Sequence, residues 1–363
     1  MPPVSAPDDD QDAGVAGATG RGAREAYWKQ TAGEVRQRMD RLHRSVLDKD
    51  VLRRSLPLRA RTLASRSGTP DARERERRLR ELSLAYADAV DDKASFAECA
   101  RRIAVDGLAW WVPLMRPDDP VQVERAIQHQ DFPYRVIAQT RDLAIGGAMI
   151  DIGANVGRMC IPRVILGDVT AAYCAEPDPL NFACLTRNLR DNGLRGLVLP
   201  DRLAVGGRTE TVRFRRSKTA GGHKVVYAKR ASDSETIDVP MITFDDWVAR
   251  LCLDLDSVTF VKVDAQGSEV GVLQGAAGVL ARRHIAWQIE VDPHQLQLGG
   301  TGAAELIGLV QRHFTHFIDL NRHATGVRVR PVAQLPEAIG YIDVSKAART
   351  DILACTLADR VGA

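Results

Sequence analysis

The stretch that most constrains the fold is residues 148–157, which read Ala-Met-Ile-Asp-Ile-Gly-Ala-Asn-Val-Gly. A short apolar run stops at Asp151 and gives way to small residues, and a helical pattern then begins. This order predicts a strand, a tight turn and a helix. Gly153 and Gly157 give the turn conformational freedom, and such a turn can bring backbone N–H groups and a helix N-terminus close to a ligand. We therefore expect a small molecule to bind at the end of this strand.

The spacing of the turn excludes two common ligand classes. It reads G-x-x-x-G with Asn155 at the middle position, which differs from the G-x-G-x-x-G of dinucleotide sites. It also lacks the Lys-Ser/Thr pair of a phosphate-binding P-loop. Neither a nicotinamide dinucleotide nor a nucleoside triphosphate is therefore favoured as the ligand of this turn.

Three later apolar runs also end in an acid, namely Glu176, Asp264 and Glu290. Glu176 follows Asp151 by about 25 residues, close to the roughly 20 residues expected for an acid that binds ribose hydroxyls. Ligands of open α/β sheets bind outside the carboxyl ends of the strands. We therefore expect these four acids to meet at one crevice.

Strands and helices alternate after residue 146, which predicts an α/β fold with a parallel sheet joined by right-handed crossovers. A β-excursion is expected at 209–215 and 236–243, around a polar loop at 217–235. Predicted strands are 148–151, 170–176, 197–199, 258–264, 285–290, 314–320 and 352–356, and predicted helices are 155–167, 178–192, 244–253, 270–280 and 304–313.

Three motifs resemble those of the FkbM family of S-adenosylmethionine-dependent O-methyltransferases. They are D-I-G-A-N-V-G from Asp151, A-E-P-D-P around Glu176 and V-K-V-D-A-Q-G-S-E-V around Asp264. The resemblance covers about residues 145–356. It implies a Rossmann-like class I methyltransferase fold, with a seven-stranded sheet whose last strand is antiparallel, and S-adenosyl-L-methionine as cofactor.

The resemblance also implies roles for single residues. The first turn would hold the methionine end of the cofactor, Glu176 the ribose and Asp201 the adenine. The implied cofactor-binding residues are Asp151, Gly153, Asn155, Gly157, Glu176 and Asp201. The family motif after the fourth strand reads more nearly D-x-E-G-x-E, and Gln266 replaces its middle acid here. A polar positioning role remains open to Gln266.

The candidates for taking the substrate proton are Asp264, Glu290 and His294. His294 has the side chain that titrates nearest neutral pH, although a single histidine is also commonly structural. No cluster with metal-ligand spacing is apparent, so no metal is expected.

The chain ahead of this domain divides into three predicted parts. Residues 1–22 are a disordered tail, 23–105 are a helical extension that could mediate homo-oligomers, and 106–145 lead into the catalytic domain at 146–363. The lead-in contains Trp110 and Trp111. These rings could stack on a substrate, or they could attach the extension to the domain.

Composition gives no reason to expect a nucleic acid or membrane partner, because the net charge is only +3 over 363 residues. The alternating charges of 73–78 indicate a solvated helix face, while the arginine-rich 53–66 could either contact an acidic partner or be solvated. Six scattered cysteines indicate reduced thiols, and no membrane span or export signal is recognisable. We expect a soluble cytoplasmic protein.

Three functions remain open at this point. The first is O-methylation of a hydroxyl on a small molecule, sugar or natural product. The second is methylation of a nucleic-acid base, which is less favoured because no N/D-P-P-Y/W run follows the fourth strand. The third is a non-catalytic binding or scaffold protein that retains the fold.

Overall fold

The computed structural model describes residues 96–97, 99–114, 131–216, 224–225, 236–321, 329–340, 342 and 349–356. The predicted tail at 1–22, most of the helical extension at 23–105 and both arginine-rich segments lie outside these residues. Among the described helices, none is long and apolar enough to cross a lipid bilayer.

The described strands are β1 (Ala100–Val105), β2 (Leu108–Pro113), β3 (Ala148–Ile152), β4 (Ala171–Ala175), β5 (Val198–Asp201), β6 (Ala204–Gly206), β7 (Glu210–Arg215), β8 (Lys224–Val225), β9 (Thr236–Thr243), β10 (Val258–Val263), β11 (Ala286–Val291), β12 (His316–Asp319), β13 (Arg330–Pro331) and β14 (Thr350–Cys355). The described helices are α1 (Asp131–Ala144), α2 (Cys160–Leu166), α3 (Pro179–Asp191), α4 (Phe244–Arg250), α5 (Glu269–Gln274), α6 (Ala277–Leu280), α7 (Pro293–Leu298), α8 (Ala303–His313) and α9 (Leu335–Ala338).

The central sheet has the strand order β13-β12-β14-β11-β10-β3-β4-β5. The five neighbouring strands β11, β10, β3, β4 and β5 run parallel. By contrast, β14 is antiparallel to both β11 and β12. This order confirms the predicted class I methyltransferase fold with an antiparallel last strand. The two-residue β13 at the edge adds an eighth strand that the sequence did not indicate.

Burial explains why these segments form central strands. Every residue of β3, β11 and β14 is buried, as strands of a sheet covered on both faces require. Two hydrophobic clusters cover opposite faces of the sheet, one containing Met149 and Phe260 and the other Ile150 and Val261. Neighbouring residues of β3 and β10 point into different clusters because side chains alternate along a strand.

The helix after β3 starts later than the sequence indicated. We predicted a helix over 155–167, but α2 begins only at Cys160. Gly153, Asn155 and Gly157 have φ values of 74°, 53° and 95°, which are incompatible with a right-handed helix. By contrast, α3 begins as predicted, with Asp178 accepting hydrogen bonds from the backbone N–H groups of Leu180 and Asn181.

The predicted β-excursion is present as a separate sheet of order β6-β9-β7-β8. β7 and β9 pair antiparallel over six residue pairs, and β6 joins β9 in parallel. Phe214 and Met241 belong to its own small apolar cluster. Within the loop predicted at 217–235, only β8 is described, and it pairs with the end of β7.

A β-hairpin occupies the end of the predicted helical extension. Residues 100–105 form β1 rather than a helix, and β2 pairs with it antiparallel. The two strands are joined at Asp106-Gly107, whose φ values of 53° and 77° suit a tight hairpin turn. Gly146 and Gly147, the predicted domain boundary, lie between α1 and β3.

The packing of Trp110 and Trp111 favours a role in attachment to the domain over stacking on a substrate. Trp110 is fully buried in the same cluster as Met149, and Trp111 packs against Phe96 with ring centroids 5.1 Å apart. The indole N–H of Trp111 donates to Asp191 at 2.8 Å. The pair therefore attaches the hairpin to α3 and the sheet.

Candidate active site

A crevice of about 430 Å³ lies at the carboxyl ends of β3, β4, β10 and β11. This is the point where the order of an open α/β sheet reverses and where such folds bind ligands. The predicted residues that line it are Gly153, Asn155, Glu176, Asp264 and Glu290. The structure thus brings five of the nine predicted site residues to one cavity.

The turn after β3 shapes the crevice in a way the sequence did not indicate. We expected it to offer unpaired N–H groups to a ligand, but the N–H groups of residues 153–157 all donate within the protein. Gly153 is required because a Cβ there would collide with the backbone carbonyl of Asp264. The turn therefore sets the position of Asp264 relative to β3.

Gly157 serves the core rather than the ligand. A Cβ at this position would lie 2.6 Å from Ile161 and 2.9 Å from Leu185, both of which are buried. Gly157 is not among the residues that line the crevice. Its place in the motif follows from close packing of the turn against α2 and α3.

Asp151 lies beneath the crevice, where it is fully buried. The ammonium of Lys262 is 3.1 Å from its carboxylate and also donates to the carbonyl of Gly153 at 2.8 Å. Burial of Lys262 opposes its charge, but Asp151 and Asp264 outweigh this effect and raise the pKa of Lys262. The ion pair therefore joins β3 to β10 under the turn.

Sequence reasoning missed Lys262, although a signal was present. Lys262 is the only charged residue in the apolar run 258–263. A charge in a buried strand requires a compensating partner, and the acid of the neighbouring strand supplies it.

The carboxylate of Asp151 also lies near two thiols. Ligand atoms of Asp151, Cys160 and Cys174 all lie within 4.8 Å of one another, a spacing that could suit a metal ion. The ammonium of Lys262 already provides a positive charge there. The thiol of Cys160, together with burial, raises the pKa of Cys174 well above its usual value, which favours the neutral thiol.

Glu176 is held rigidly at the wall of the crevice. One carboxylate oxygen accepts the N–H of Asp178 at 2.9 Å, and the other accepts the N–H of Asn155 at 2.8 Å. Burial and the nearby Asp178 raise the pKa of Glu176 to about 8. Each oxygen keeps a further acceptor position for a ligand hydroxyl.

Asp264 and Glu290 are joined by Gln266. The Gln266 amide nitrogen donates to Asp264 at 2.7 Å and to Glu290 at 2.9 Å. Asp264 is one-third exposed, whereas Glu290 is nearly buried. Burial and the charge of Asp264 raise the pKa of Glu290 well above its usual value.

The last acid of the motif, Glu269, shapes the loop rather than the crevice wall. It is buried and accepts the backbone N–H groups of Ala265 and Gly267. It is not among the lining residues. Its carboxylate therefore fixes the loop that presents Asp264 and Gln266.

Two arginines also line the crevice, and sequence reasoning had no signal for either. Burial lowers the pKa of Arg158 to about 10, so the guanidinium remains charged at neutral pH. Arg349 lies 3.5 Å from Glu290, just ahead of β14. Beside it, Asp351 of β14 is buried and accepts a hydrogen bond from Gln288 at 3.1 Å.

Two predicted residues lie away from the crevice. Asp201 pairs with Arg250 and accepts the indole N–H of Trp247, so its position does not support an adenine contact. His294 lies on α7 and does not line the cavity, so its position does not support a role as the base. Asp201 is the last residue of β5 and His294 comes soon after β11, but a place near a strand end does not determine side-chain direction.

Part of the crevice lining is apolar. Leu203 and Val205 follow β5, and Phe214 and Val225 come from the small sheet. All four side chains are at least nine-tenths buried. This part can accommodate a flat apolar ring, whereas the part formed by β10, β11 and β14 is polar.

The chain was compared with known proteins. No curated protein sequence matches it. Solved structures with distant similarity include methyltransferase FkbM from Methylobacillus flagellatus KT, at 12% identity and a TM-score of 0.33 over 64% of this chain. P. horikoshii TYW2 in complex with MeSAdo matches at 10% identity and a TM-score of 0.37, over 71% of this chain and 72% of that chain. Precorrin-6y C5,15-methyltransferase from Geobacter metallireducens GS-15 matches at 11% identity and 0.32, over 66% of this chain and 96% of that chain.

These structural similarities are too low to assign a substrate, and the chain spans 56% of the length of the M. flagellatus protein. The family comparison is more specific. Residues 151–320 match the family described as the methyltransferase FkbM domain. This range begins at the first predicted motif and includes the strand ends that contribute Glu176, Asp264 and Glu290. The chain therefore contains a methyltransferase FkbM domain, at residues 151–320.

Proposed function

We propose that this protein is an S-adenosylmethionine-dependent methyltransferase that methylates a hydroxyl of a small molecule, a sugar or a natural product. The observation that carries the proposal is the grouping of Glu176, Asp264 and Glu290 around one cavity, within an FkbM domain. We further propose that it acts in the cytoplasm, because five of its six cysteines are buried free thiols that suit a reducing compartment.

The residues of the crevice fit this cofactor. Glu176 is fixed by two backbone N–H groups and can accept hydrogen bonds from the ribose hydroxyls. The apolar part of the lining, with Leu203 and Phe214, suits the adenine ring. Asp264 and Arg158 carry opposite charges, as binding of the ammonium and carboxylate of an amino acid requires.

The cofactor supplies an electrophilic methyl group whose transfer is an in-line displacement. The protein must therefore align the acceptor hydroxyl and remove its proton. Glu290 is the best candidate for the base, because burial and Asp264 raise its pKa, which makes its ionised carboxylate a stronger proton acceptor than an exposed one. Glu290 would accept the hydroxyl proton as the methyl group of the bound cofactor is transferred to the acceptor oxygen.

Calorimetric titration with S-adenosylmethionine and S-adenosylhomocysteine tests the proposal. We expect binding by the parent protein and strong weakening in Glu176→Ala and Gly153→Arg. Glu305→Ala is a matched control, because Glu305 is an exposed acid outside the crevice. Parental affinity in both crevice variants would contradict the cofactor placement, and absence of binding by the parent would contradict the function.

The acceptor can then be sought by incubating the protein with labelled S-adenosylmethionine and sets of hydroxylated sugars and natural products. Transfer of label to a hydroxyl, located by mass spectrometry, is the expected result. Transfer to a nitrogen of a nucleic-acid base would instead support the alternative reaction.

A further inference from the structure

The side chain of Gln266 has an unusual position between two acids. Its amide nitrogen is 2.7 Å from an oxygen of Asp264 and 2.9 Å from an oxygen of Glu290. A carboxamide nitrogen has two hydrogens, so each acid can receive one. The residue also has a φ of 50°, so the loop places this side chain at some conformational cost.

A carboxylate at position 266 could not make these contacts. An ionised carboxylate has no hydrogen to donate, so it would either repel both neighbours or take up a proton. The amide of Gln266 is neutral at every accessible pH and donates to both. Gln266 therefore bridges the two acids without adding a titrating group.

Many charges surround this bridge, and they come from several elements. Charged groups near the bridge are Lys262 on β10, Arg158 after β3, Glu269 on α5, Asp292 before α7, Arg349 before β14 and Asp351 on β14. Lys262 is 3.7 Å from Asp264, and Arg349 is 3.5 Å from Glu290. Each acid of the bridge therefore accepts from Gln266 with one oxygen and lies near a cation with the other.

We propose that Gln266 is a positioning residue that ties Asp264 to Glu290 and allows the two acids to hold separate protonation states. The inference rests on the proposed function. In this arrangement Asp264 would bind the amino-acid end of the cofactor, and Glu290 alone would take the proton of the acceptor hydroxyl. The pKa of Glu290, which burial and Asp264 raise above its usual value, agrees with this division.

Unfolding as a function of pH tests the bridge without any ligand. In Gln266→Glu the introduced carboxyl lies beside two others, so its folded-state pKa is raised above its unfolded value of about 4.3. The stability it contributes at low pH is lost as pH rises. We expect the unfolding constant of the variant, relative to that of the parent, to increase by up to about tenfold per pH unit above pH 5.

Gln274→Glu is the matched control, because Gln274 donates to one exposed acid, Glu305, at 3.1 Å. Its unfolding constant should stay within about twofold of the parent at every pH, since exposed charges interact weakly. Equal pH dependence in the two glutamate variants would overturn the proposal.

The second measurement compares affinity for S-adenosylmethionine, which has a positive sulfur, with affinity for S-adenosylhomocysteine, which does not. In the parent the ratio of the two dissociation constants should be constant within about twofold between pH 6 and 8, because the Gln266 amide separates the two acids and prevents them from sharing a proton. In Gln266→Glu and Gln266→Ala the ratio should change by about threefold or more over this range, because protons become shared.

A purely structural Gln266 would change both affinities equally and leave the ratio at its parental value at each pH, which would refute the positioning role. If the parent binds neither ligand, the proposed function fails, and the pH dependence of unfolding then decides the inference about the bridge by itself.

Discussion

Replacing Lys262 by methionine should destabilise the protein severely. Lys262 is 7% exposed and lies 3.1 Å from Asp151, whose side chain is fully buried. Methionine has nearly the length of lysine but no charge, so the variant leaves a buried carboxylate without its cation. Breaking a buried ion pair in this way costs about 3–5 kcal/mol. The Gly153 carbonyl loses a hydrogen bond from the same ammonium.

Urea unfolding at pH 7 measures this loss, and the pH dependence identifies its origin. Without Lys262, Asp151 should be protonated more easily in the folded state than in the unfolded state. The variant should therefore be least stable at neutral pH and recover part of the loss as the pH falls. The double variant Lys262→Met/Asp151→Leu should be much closer to the parent, because no charge remains buried.

Arg250→Met is the control, because the Arg250–Asp201 pair has side chains 51% and 30% exposed. We expect this variant to lose less than about 1 kcal/mol. A Lys262→Met variant within 1 kcal/mol of the parent, or a double variant less stable than Lys262→Met, would refute the reasoning.

Three further predictions concern the crevice. Because the pKa of Glu176 is raised to about 8, its stabilising contribution is lost as the pH rises from about 5 to 8. Glu176→Gln should flatten this decline in the free energy of unfolding measured with urea, and an unchanged dependence on pH would contradict the prediction. Glu290→Gln should lower single-turnover methyl transfer by about 10²–10⁴ while calorimetric S-adenosylmethionine affinity stays within a few-fold, and a near-parental rate would assign the base elsewhere. His294→Ala should keep both quantities within a few-fold, because His294 does not line the cavity, and a large loss of rate would contradict this placement.

The sequence predicted the sheet well because its central strands have strong local signals. The runs before Glu176, Asp264 and Glu290 are apolar and short, and their acids mark the carboxyl ends. The order of strands follows from handedness rules and the family resemblance, not from any single segment. Segments with weaker patterns, such as β1 and the two-residue β13, were missed because their pairing depends on tertiary partners.

The site was predicted less completely, and the reasons are geometric. Periodicity indicates which residues reach a strand end but not where the side chain then points, and neither Asp201 nor His294 lines the crevice. Arg349 belongs to the site only because β14 inserts next to β11, which brings it within 3.5 Å of Glu290. Such a contact between residues 59 positions apart has no local signature.

The position of β14 also bears on how the chain folds during synthesis. β14 lies between β11 and β12 and is translated after every other described strand. The ribosome therefore releases β11 and β12 before the strand that separates them exists, and both present unpaired edges in that interval. Arg349 and Asp351 reach the crevice only when β14 inserts. We therefore expect nascent chains that end before residue 349 to be prone to aggregation and unable to retain S-adenosylmethionine, however complete their first motif.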